Sequence, residues 1–461
     1  MVMQAKVLVL ISSLILSFST ANALTFKSGE KIPSNSQKNA PTSNGIYHDL
    51  WMPFSKTDLH QIDATKVKWK PAGDGFYDYL DANLYTPYAE VLSTWFAYQW
   101  SNQPDEFCFN QLITLEKQRN LREDVTEWID THTCAYTEIT NFYRDRDTAR
   151  LQRIYDSWAS EPLSKFYTGN LNPPNWFDNN RLFMLVNAFS ILATHYAYNR
   201  DKFDNTEKID HWFTSWFMQN QNPNGRDKRK CPQNEPWNYT NGKVYKYSKD
   251  WDGDSCGTLT WRGANARLAL GLATGNQELF ISGVRMLEIQ LAMFDKDGIF
   301  VEFASRAWSS PTYTTEIFHA LHTAQATLLQ AGVDLMEVKN PHGKAVHELL
   351  TGTTKWLMNP SLNRYLRHSR HGAAFWPHGW HPPQSKQEYE AYWHQTSATP
   401  EYLYFSMYRF VNNYSSSVPD PGPVVWTESW NINNGRPLWH SYNPEHGLPA
   451  QYYLDYLDTK K

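Results

Sequence analysis

The sequence lacks several features that would assign it to a common class of protein. Its formal net charge is -4 over 461 residues, so it has no overall positive charge with which to attract nucleic acid or an anionic membrane surface. After the N-terminal region it has no apolar run of ~20 residues, the length that a membrane-spanning helix needs. No succession of alternating apolar and polar residues indicates a β-sheet. We therefore expect a helical protein that binds neither nucleic acid nor a membrane.

Cysteine is also scarce, with only four in the chain: Cys108, Cys134, Cys231 and Cys256. None of them forms the short C-x2-C spacing of most zinc sites, which leaves a four-cysteine zinc site as the weaker alternative. An even number of cysteines in an exported chain favours disulfides, and three pairings are open. We favour Cys108–Cys134 and Cys231–Cys256, each of which would close a loop of roughly 25 residues and contribute ~3 kcal/mol.

The N-terminus has the pattern of an export signal. Lys6 precedes an apolar run from Val7 to Leu16, and Ala21 and Ala23 then form a small-x-small cleavage pattern. We therefore expect residues 1–23 to be a signal peptide and the mature protein to be periplasmic or secreted.

Apolar residues recur at helical spacing along most of the remaining chain. In the segment 314–333, Ile317, Ala320 and Leu321 fall on one face, and Thr314 or Thr315 is placed to cap a helix. Such segments, without strands between them, predict an all-α fold. The eleven predicted helices are roughly 83–101, 108–119, 121–130, 147–159, 180–198, 207–219, 262–273, 276–294, 314–333, 342–356 and 399–411.

The chain divides into four parts by composition. After the signal peptide, residues 24–75 are predicted to form an N-terminal arm, residues 76–415 a helical domain, and residues 416–461 a loop-rich tail packed on that domain. Two long polar insertions, 221–257 and 359–398, interrupt the helices, and long loops on a helical scaffold are where binding groups usually lie. Aromatic residues make up 15% of the chain, which suits both a large core and a cleft that stacks sugar rings.

The first candidate motif is Asp178-Asn179-Asn180-Arg181, directly before an apolar run. The simpler interpretation is that Asp178 or Asn179 caps a helix and Arg181 is solvated. The alternative is a polar cluster at a helix start, because amide and guanidinium groups donate hydrogen bonds to a carboxylate.

The second candidate motif contains Glu302, Arg306 and Tyr313. Ser309, Ser310 and Pro311 indicate a turn, after which Tyr313 is expected just before a helix. A helix N-terminus and a nearby arginine both stabilise a phenolate, so such a tyrosine can serve as base or acid. The alternative is a buried tyrosine bonded to backbone beside a surface arginine.

Taken together, the two motifs resemble the alginate (poly-mannuronate) lyase family. In that family an Asn-Asn-His at a helix start is followed about a hundred residues later by D-G-x-x-x-E, then Arg and Tyr before a helix; here Asp297 to Glu302, Arg306 and Tyr313 match. The resemblance covers roughly residues 80–335. It implies an incomplete (α/α) toroid or barrel whose long loops form a cleft, and β-elimination on an acidic, uronate-containing polysaccharide.

The resemblance also implies roles for individual residues. Asn180 and Arg181 would neutralise the uronate carboxylate, Tyr313 would remove the C5 proton, and Arg306 would hold the phenolate or the sugar. Asn179, Trp261, Arg262 and Glu302 are the predicted substrate-binding residues. No metal or other cofactor is required, and we expect a monomer.

The chain departs from the family pattern at three places. Arg181 stands where the family has histidine, Thr314 follows the tyrosine where the family has histidine, and Glu302 lies four residues before Arg306 rather than three. A histidine elsewhere could take the missing role, and the candidates are His195, His211, His319 and His322.

Weaker signals leave two metal sites and two other functions open. Asp250 to Ser255 begins like a calcium loop but lacks its glycine and distal glutamate. His368-x-x-His371 and His378-x-x-His381 lie in a stretch rich in Pro and Gly, so no helix aligns them. The alternative functions are a glycoside hydrolase, for which Asp252, Asp254 and Glu302 would supply the carboxylates, and a non-catalytic carbohydrate-binding protein.

Overall fold

The computed structural model describes residues 57–83, 106–113, 127–163, 176–219, 258–294, 297–300, 310–340, 343–358 and 450–461. Within these ranges the chain is helical and contains no strand, which confirms the predicted all-α fold. The α-helices are α1 (Asp74–Asn83), α2 (Phe107–Ile113), α3 (Glu127–Asp145), α4 (Ala149–Ala159), α5 (Trp176–Tyr198), α6 (Thr206–Gln219), α7 (Thr258–Thr274), α8 (Gln277–Ala292), α9 (Ser310–Leu329), α10 (Val346–Met358) and α11 (Ala450–Asp458).

Several predicted helix bounds differ from the observed ones. Helix α1 was not among the predicted helices. The helix expected at 83–101 lies outside the described residues beyond Asn83. The helix expected at 121–130 is α3, which continues to Asp145. The predicted helix 399–411 and the loops 221–257 and 359–398 lie outside the described residues. The tail, expected to be rich in loops, ends in a helix, α11.

Helices α7 and α8 form an antiparallel hairpin in which the two backbones lie unusually close together. Gly275, with a φ of +67°, ends α7, and the Asn276 side chain caps α8 by accepting from the Leu279 N–H. A Cβ built on Gly271 would lie 2.6 Å from the backbone of Phe280, and one on Gly283 would lie 2.8 Å from the backbone nitrogen of Leu268. These glycines let the two backbones come closer than any larger residue would allow.

The segment 62–72 runs across the C-terminal ends of three helices. Its 3-10 turn, Ala64–Lys66, packs against α7. The Trp69 indole N–H donates to the carbonyl of Ala197 at 3.0 Å, and the Lys70 carbonyl accepts from Gln330, which follows α9. Because so short a segment meets α5, α7 and α9 at their C-terminal ends, these three ends lie at one pole of the molecule, the C-terminal pole.

Two side-chain contacts fix how these helices lie beside each other. The Asn265 amide donates to the Ala320 carbonyl at 3.0 Å, and each residue is nine positions before the last residue of its helix, α7 and α9 respectively. The Tyr198 and Thr327 hydroxyls are 2.8 Å apart near the C-terminal ends of α5 and α9. Helices α7 and α9 match in register at their ends and at their middles, so they run in the same direction. Helix α5 packs along α7 and has its C-terminal end at the same pole, so it runs in that direction too.

The helices enclose two apolar clusters. The first contains many aromatic side chains from α1 to α6; the Phe189 ring, for example, packs edge-on against Trp158 and Trp216, with 4.7 Å between ring centroids in each pair. The second cluster lies between α7, α8, α9 and α10. A disulfide joins Cys108 on α2 to Cys134 on α3, the first of the two favoured pairings, whereas Cys231 and Cys256 lie outside the described residues.

Both described ends of the chain are anchored on this body. The Glu288 carboxylate of α8, which is 3% exposed, accepts hydrogen bonds from the Thr57 backbone N–H and hydroxyl and pairs with His60 at 2.9 Å. At the other end, the Tyr453 hydroxyl of α11 accepts from Gln330. None of the described helices is both long and apolar enough to cross a membrane.

Candidate functional site

The first motif lies within the first two turns of α5. The helix begins at Trp176, so Asp178 and Asn179 stand inside it, and neither is the N-cap that the simpler interpretation required. Asn179, Asn180 and Arg181 are therefore successive residues near the positive end of a helix of 23 residues. A helix N-terminus attracts negative charge, since its first backbone N–H groups have no partner within the helix.

The second motif is only partly described. Helix α9 begins at Ser310, so Tyr313 is its fourth residue and lies in the first turn rather than just before the helix. Thr314, proposed as a cap, is a buried residue inside the helix. Arg306 and Glu302 lie outside the described residues.

The fold brings the starts of α5, α7 and α9 to the same pole, opposite the pole that the segment 62–72 covers. Counted from the Tyr198–Thr327 contact, Asn180 lies eighteen residues and Tyr313 fourteen residues toward the N-termini of their helices. At 1.5 Å per residue the two therefore differ by about 6 Å along the helix axes. The two motifs, which are far apart in sequence, share the N-terminal pole.

Two predicted substrate-binding residues lie in the first turns of α7. Trp261 is 1% exposed and its ring packs against Phe300, with 5.9 Å between centroids. Arg262 is 5% exposed. The Trp261 ring is thus part of the second apolar cluster rather than an open stacking surface. Both residues lie near the N-terminal pole.

The four histidine candidates occupy different environments. His195 is packed edge-on against Phe142 and Tyr143 toward the C-terminal pole, and His211 is exposed on α6. His319 and His322 lie on α9 within three turns of Tyr313, with ring centroids 6.3 Å apart. Only these last two are on the same helix as the tyrosine.

Burial keeps both α9 histidines neutral. Loss of hydration lowers the pKa of His319 to about 4. The same cause, with a smaller contribution from the neighbouring His319, lowers the pKa of His322 well below its ordinary value. At neutral pH these imidazoles can donate and accept hydrogen bonds, but they supply no positive charge.

Sequence analysis missed a polar face on α5. Asn187, Ser190, Thr194 and Tyr198 recur at spacings of three and four residues, which places them on one side of the helix. All four are buried, at 1% exposure or less. The signal was present as polar residues in phase within a helix that is otherwise apolar almost all round.

The two possible metal sites in the sequence are not tested by the structure. Asp250 to Ser255 and the four histidines from His368 to His381 lie outside the described residues. Among the residues that the structure describes, no three His, Cys, Asp or Glu side chains come together in a way that could hold a metal ion.

Comparison with solved structures returns alginate lyases. A variant of alginate lyase A1-III complexed with a tetrasaccharide aligns with a TM-score of 0.37 and 16% identity, over 52% of this chain and 60% of that one. Its apo form gives the same values. A second variant, also complexed with a tetrasaccharide, has a TM-score of 0.39 and 13% identity, over 68% of this chain and 82% of that one. The chain thus spans 60% of the length of the first two.

Comparison with sequences gives a narrower result. No curated protein matches the chain. The family model described as "Alginate lyase" matches residues 259–362, which hold nearly all of α7, the whole of α8, α9 and α10, and the stretch from Glu302 to Tyr313. Over this part, the chain has the sequence pattern of the alginate lyase family, and the predicted resemblance is confirmed.

Proposed function

We propose that the protein is a polysaccharide lyase that cleaves an acidic, uronate-containing polysaccharide of the alginate type by β-elimination. The observation that carries this proposal is the shared N-terminal pole of α5 and α9, which brings Asn180 and Tyr313 to one end of the molecule. The family match over residues 259–362 supports it independently.

The main obstacle in this reaction is electrostatic. Removing the C5 proton of a uronate next to its carboxylate produces an intermediate with two negative charges. Three helices present their N-termini at the proposed site, and each carries roughly half a positive charge there. Asn179, Asn180 and Arg181 add amide and guanidinium donors at the start of α5. Fixed donors of this kind usually supply the largest contribution to catalysis.

Proton transfer is assigned to Tyr313. A phenol has a reference pKa of ~10, and a helix N-terminus and a nearby cation both favour its phenolate. Tyr313 would remove the C5 proton, and the same phenol could then protonate the O4 leaving group. Arg306 would stabilise the phenolate or hold the sugar.

In this proposal, Arg181 takes over the role of the histidine that the family has at this position. Arg181 stays protonated at any working pH, so it can neutralise the substrate carboxylate where a histidine would have to be charged or donate a hydrogen bond. His319, whose pKa is lowered to about 4 by burial, is neutral and does not replace that charge. We expect it to act through hydrogen bonds only.

The wider setting is part of the same proposal. Parallel α5, α7 and α9, with α8 antiparallel beside α7, are the arrangement that an incomplete (α/α) toroid requires, with its cleft at the N-terminal pole. The export pattern of residues 1–23 agrees with an enzyme that meets a polymer outside the cytoplasm. We expect it to act as a monomer without a metal or other cofactor.

The direct test is the ultraviolet absorbance of the unsaturated uronate end that β-elimination creates. The purified protein is incubated with a panel of polymers rich in mannuronate, guluronate or glucuronate. Tyr313→Phe should lower turnover by at least about 100-fold, the usual contribution of an acid–base group. Tyr79→Phe in α1 removes a phenol from another part of the chain and serves as the control.

Three other outcomes would contradict the proposal. Full turnover by Tyr313→Phe would remove the tyrosine from the mechanism. Release of reducing ends without new absorbance would indicate a glycoside hydrolase. Polymer binding without turnover of any polymer would indicate a carbohydrate-binding protein.

A further inference from the structure

The polar face of α5, formed by Asn187, Ser190, Thr194 and Tyr198, has two halves that differ in hydrogen bonding. In the half toward the C-terminal pole, the Thr194 hydroxyl donates to the Ser190 carbonyl at 2.9 Å, and the Tyr198 hydroxyl bonds Thr327. In the other half, Asn187 is 1% exposed and Ser190 is fully buried. Neither the amide of Asn187 nor the hydroxyl of Ser190 has a partner in the structure, as far as its described residues show.

This absence of partners is unusual for buried polar groups. The large majority of buried side-chain polar atoms are hydrogen-bonded to protein or to ordered water. The side-chain amide of asparagine has an NH2 group that can donate two hydrogen bonds and a carbonyl oxygen that can accept two. At Asn187 both groups are buried away from bulk water. Each polar group that is buried without a hydrogen bond lowers the stability of the folded state.

Helix α9 meets this side of α5 at the contact between Tyr198 and Thr327. Asn187 is eleven residues before Tyr198, about three helical turns, so it projects to the same side of α5 as the tyrosine that reaches Thr327. On α9, Thr323 lies one turn before Thr327, and His319 lies one turn before Thr323. The two faces are joined toward the C-terminal pole by the Tyr198–Thr327 hydrogen bond.

The described side chains on the two faces carry no charge. Thr323 and Thr327 donate their hydroxyls to carbonyls within α9, and burial keeps His319 neutral by lowering its pKa to about 4. An anion would require a cation beside it, and a metal ion would require carboxylates. A group that both donates and accepts, and is itself uncharged, matches an amide next to a hydroxyl.

We propose that Asn187 and Ser190 form an internal binding site for an uncharged hydroxyl group, occupied by an enclosed water molecule in the free protein. Buried waters typically make about three hydrogen bonds, and this pair offers three polar atoms. The proposal does not rest on the lyase function, because the site would be hydrated whatever reaction the protein catalyses. The same site could accept a sugar hydroxyl in place of the water if a bound polymer reaches this depth.

The water is measured by oxygen-17 magnetic relaxation dispersion on the full-length protein, which counts water molecules held for longer than the protein tumbles. Asn187→Leu keeps the side-chain volume but removes the amide, and it should lower the count by at least one. Thr194→Val is the matched control on the same face, because its hydroxyl is already bonded within the helix. The control should leave the count unchanged.

A second variant and a direct structure keep the test independent of one substitution. Ser190→Ala is small and favourable in a helix, and it should weaken the site, so that the residence time of the water falls. A crystal structure at high resolution should have a density peak within about 3.2 Å of the Asn187 amide. An empty space there, or an unchanged count in Asn187→Leu together with a higher resistance to urea, would overturn the proposal, because the amide would then be buried dry.

The source of the hydroxyl is decided by adding a uronate oligosaccharide to the wild-type protein. Loss of the long-lived water on binding would assign the site to a sugar hydroxyl, and retention would assign it to water alone. Both results keep the hydroxyl-binding site. Failure of the lyase proposal would be recognised separately, from the absence of ultraviolet absorbance.

Discussion

The two buried histidines of α9 predict that the protein loses stability as the pH falls below 7. An unfolded histidine has a pKa of ~6.5, whereas burial lowers the pKa of His319 to about 4 in the folded state. Between these values the unfolded chain binds a proton that the folded chain does not. Stability is therefore complete above the unfolded pKa, falls as the pH decreases, and stops falling from this cause only near pH 4.

The size of the effect follows from the pKa difference. One pKa unit corresponds to ~1.4 kcal/mol, so the full contribution of His319 is about 3 kcal/mol. Between pH 7.5 and pH 5 about 2 kcal/mol of this is lost. The pKa of His322 is also lowered, first by burial and then by His319, so it adds to the loss in the same direction. A loss of this size is a large part of the 5–15 kcal/mol that stabilises a typical domain.

The assay is urea unfolding followed by tryptophan fluorescence at pH 7.5 and pH 5. The quantity of interest is the difference in the free energy of unfolding between the two pH values, so a uniform cost of substitution cancels. His319→Gln should reduce that difference by about 2 kcal/mol, and the double variant with His322→Gln should reduce it further. His211→Gln, at an exposed position on α6, should leave it unchanged. An equal pH dependence in the wild type and the double variant would refute the reasoning.

Two further predictions concern the packing that sets the helices in place. Gly283→Ala places a Cβ 2.8 Å from the backbone of α7, so we expect it to lower the free energy of unfolding by about 1–2 kcal/mol despite the better helix propensity of alanine; the neighbouring Ser282→Ala adds no atom and should change it by less than about 0.5 kcal/mol. Gln277→Ala removes the two hydrogen bonds that hold Ile62 and Ala64, so limited proteolysis should cut the segment 62–72 faster than in the exposed control Gln61→Ala. Equal cleavage rates would mean that this segment is held by its apolar contacts alone.

Local sequence patterns were sufficient for the helical class and for several helix bounds. Helical spacing predicted 147–159, 207–219 and 262–273, and the structure has helices at Ala149–Ala159, Thr206–Gln219 and Thr258–Thr274. The first two segments carry a clear apolar face, and the energy of burying that face determines the helix. The third, α7, is buried on all sides from residue 261 to residue 272. The starts of α5 and α9 were placed too late, because Asp178 and Thr314 resemble capping residues but lie inside their helices.

The same limit applies to the candidate site. The composition of the two motifs, with amides and an arginine at one helix start and a tyrosine at another, could be read directly from the chain. Their placement at one pole could not, because it depends on contacts between residues more than a hundred positions apart, such as Tyr198 with Thr327. No local pattern encodes the direction in which three separate helices run.

The sequence by itself determined which segments become helices and which side chains could neutralise a carboxylate or move a proton. Only the tertiary structure decided that the N-termini of α5, α7 and α9 lie at one pole, that His195 lies toward the other pole, and that Asn187 and Ser190 are buried. The physical reason is that helix formation depends on neighbours three and four residues away, whereas burial, pKa and convergence depend on what distant parts of the chain pack against.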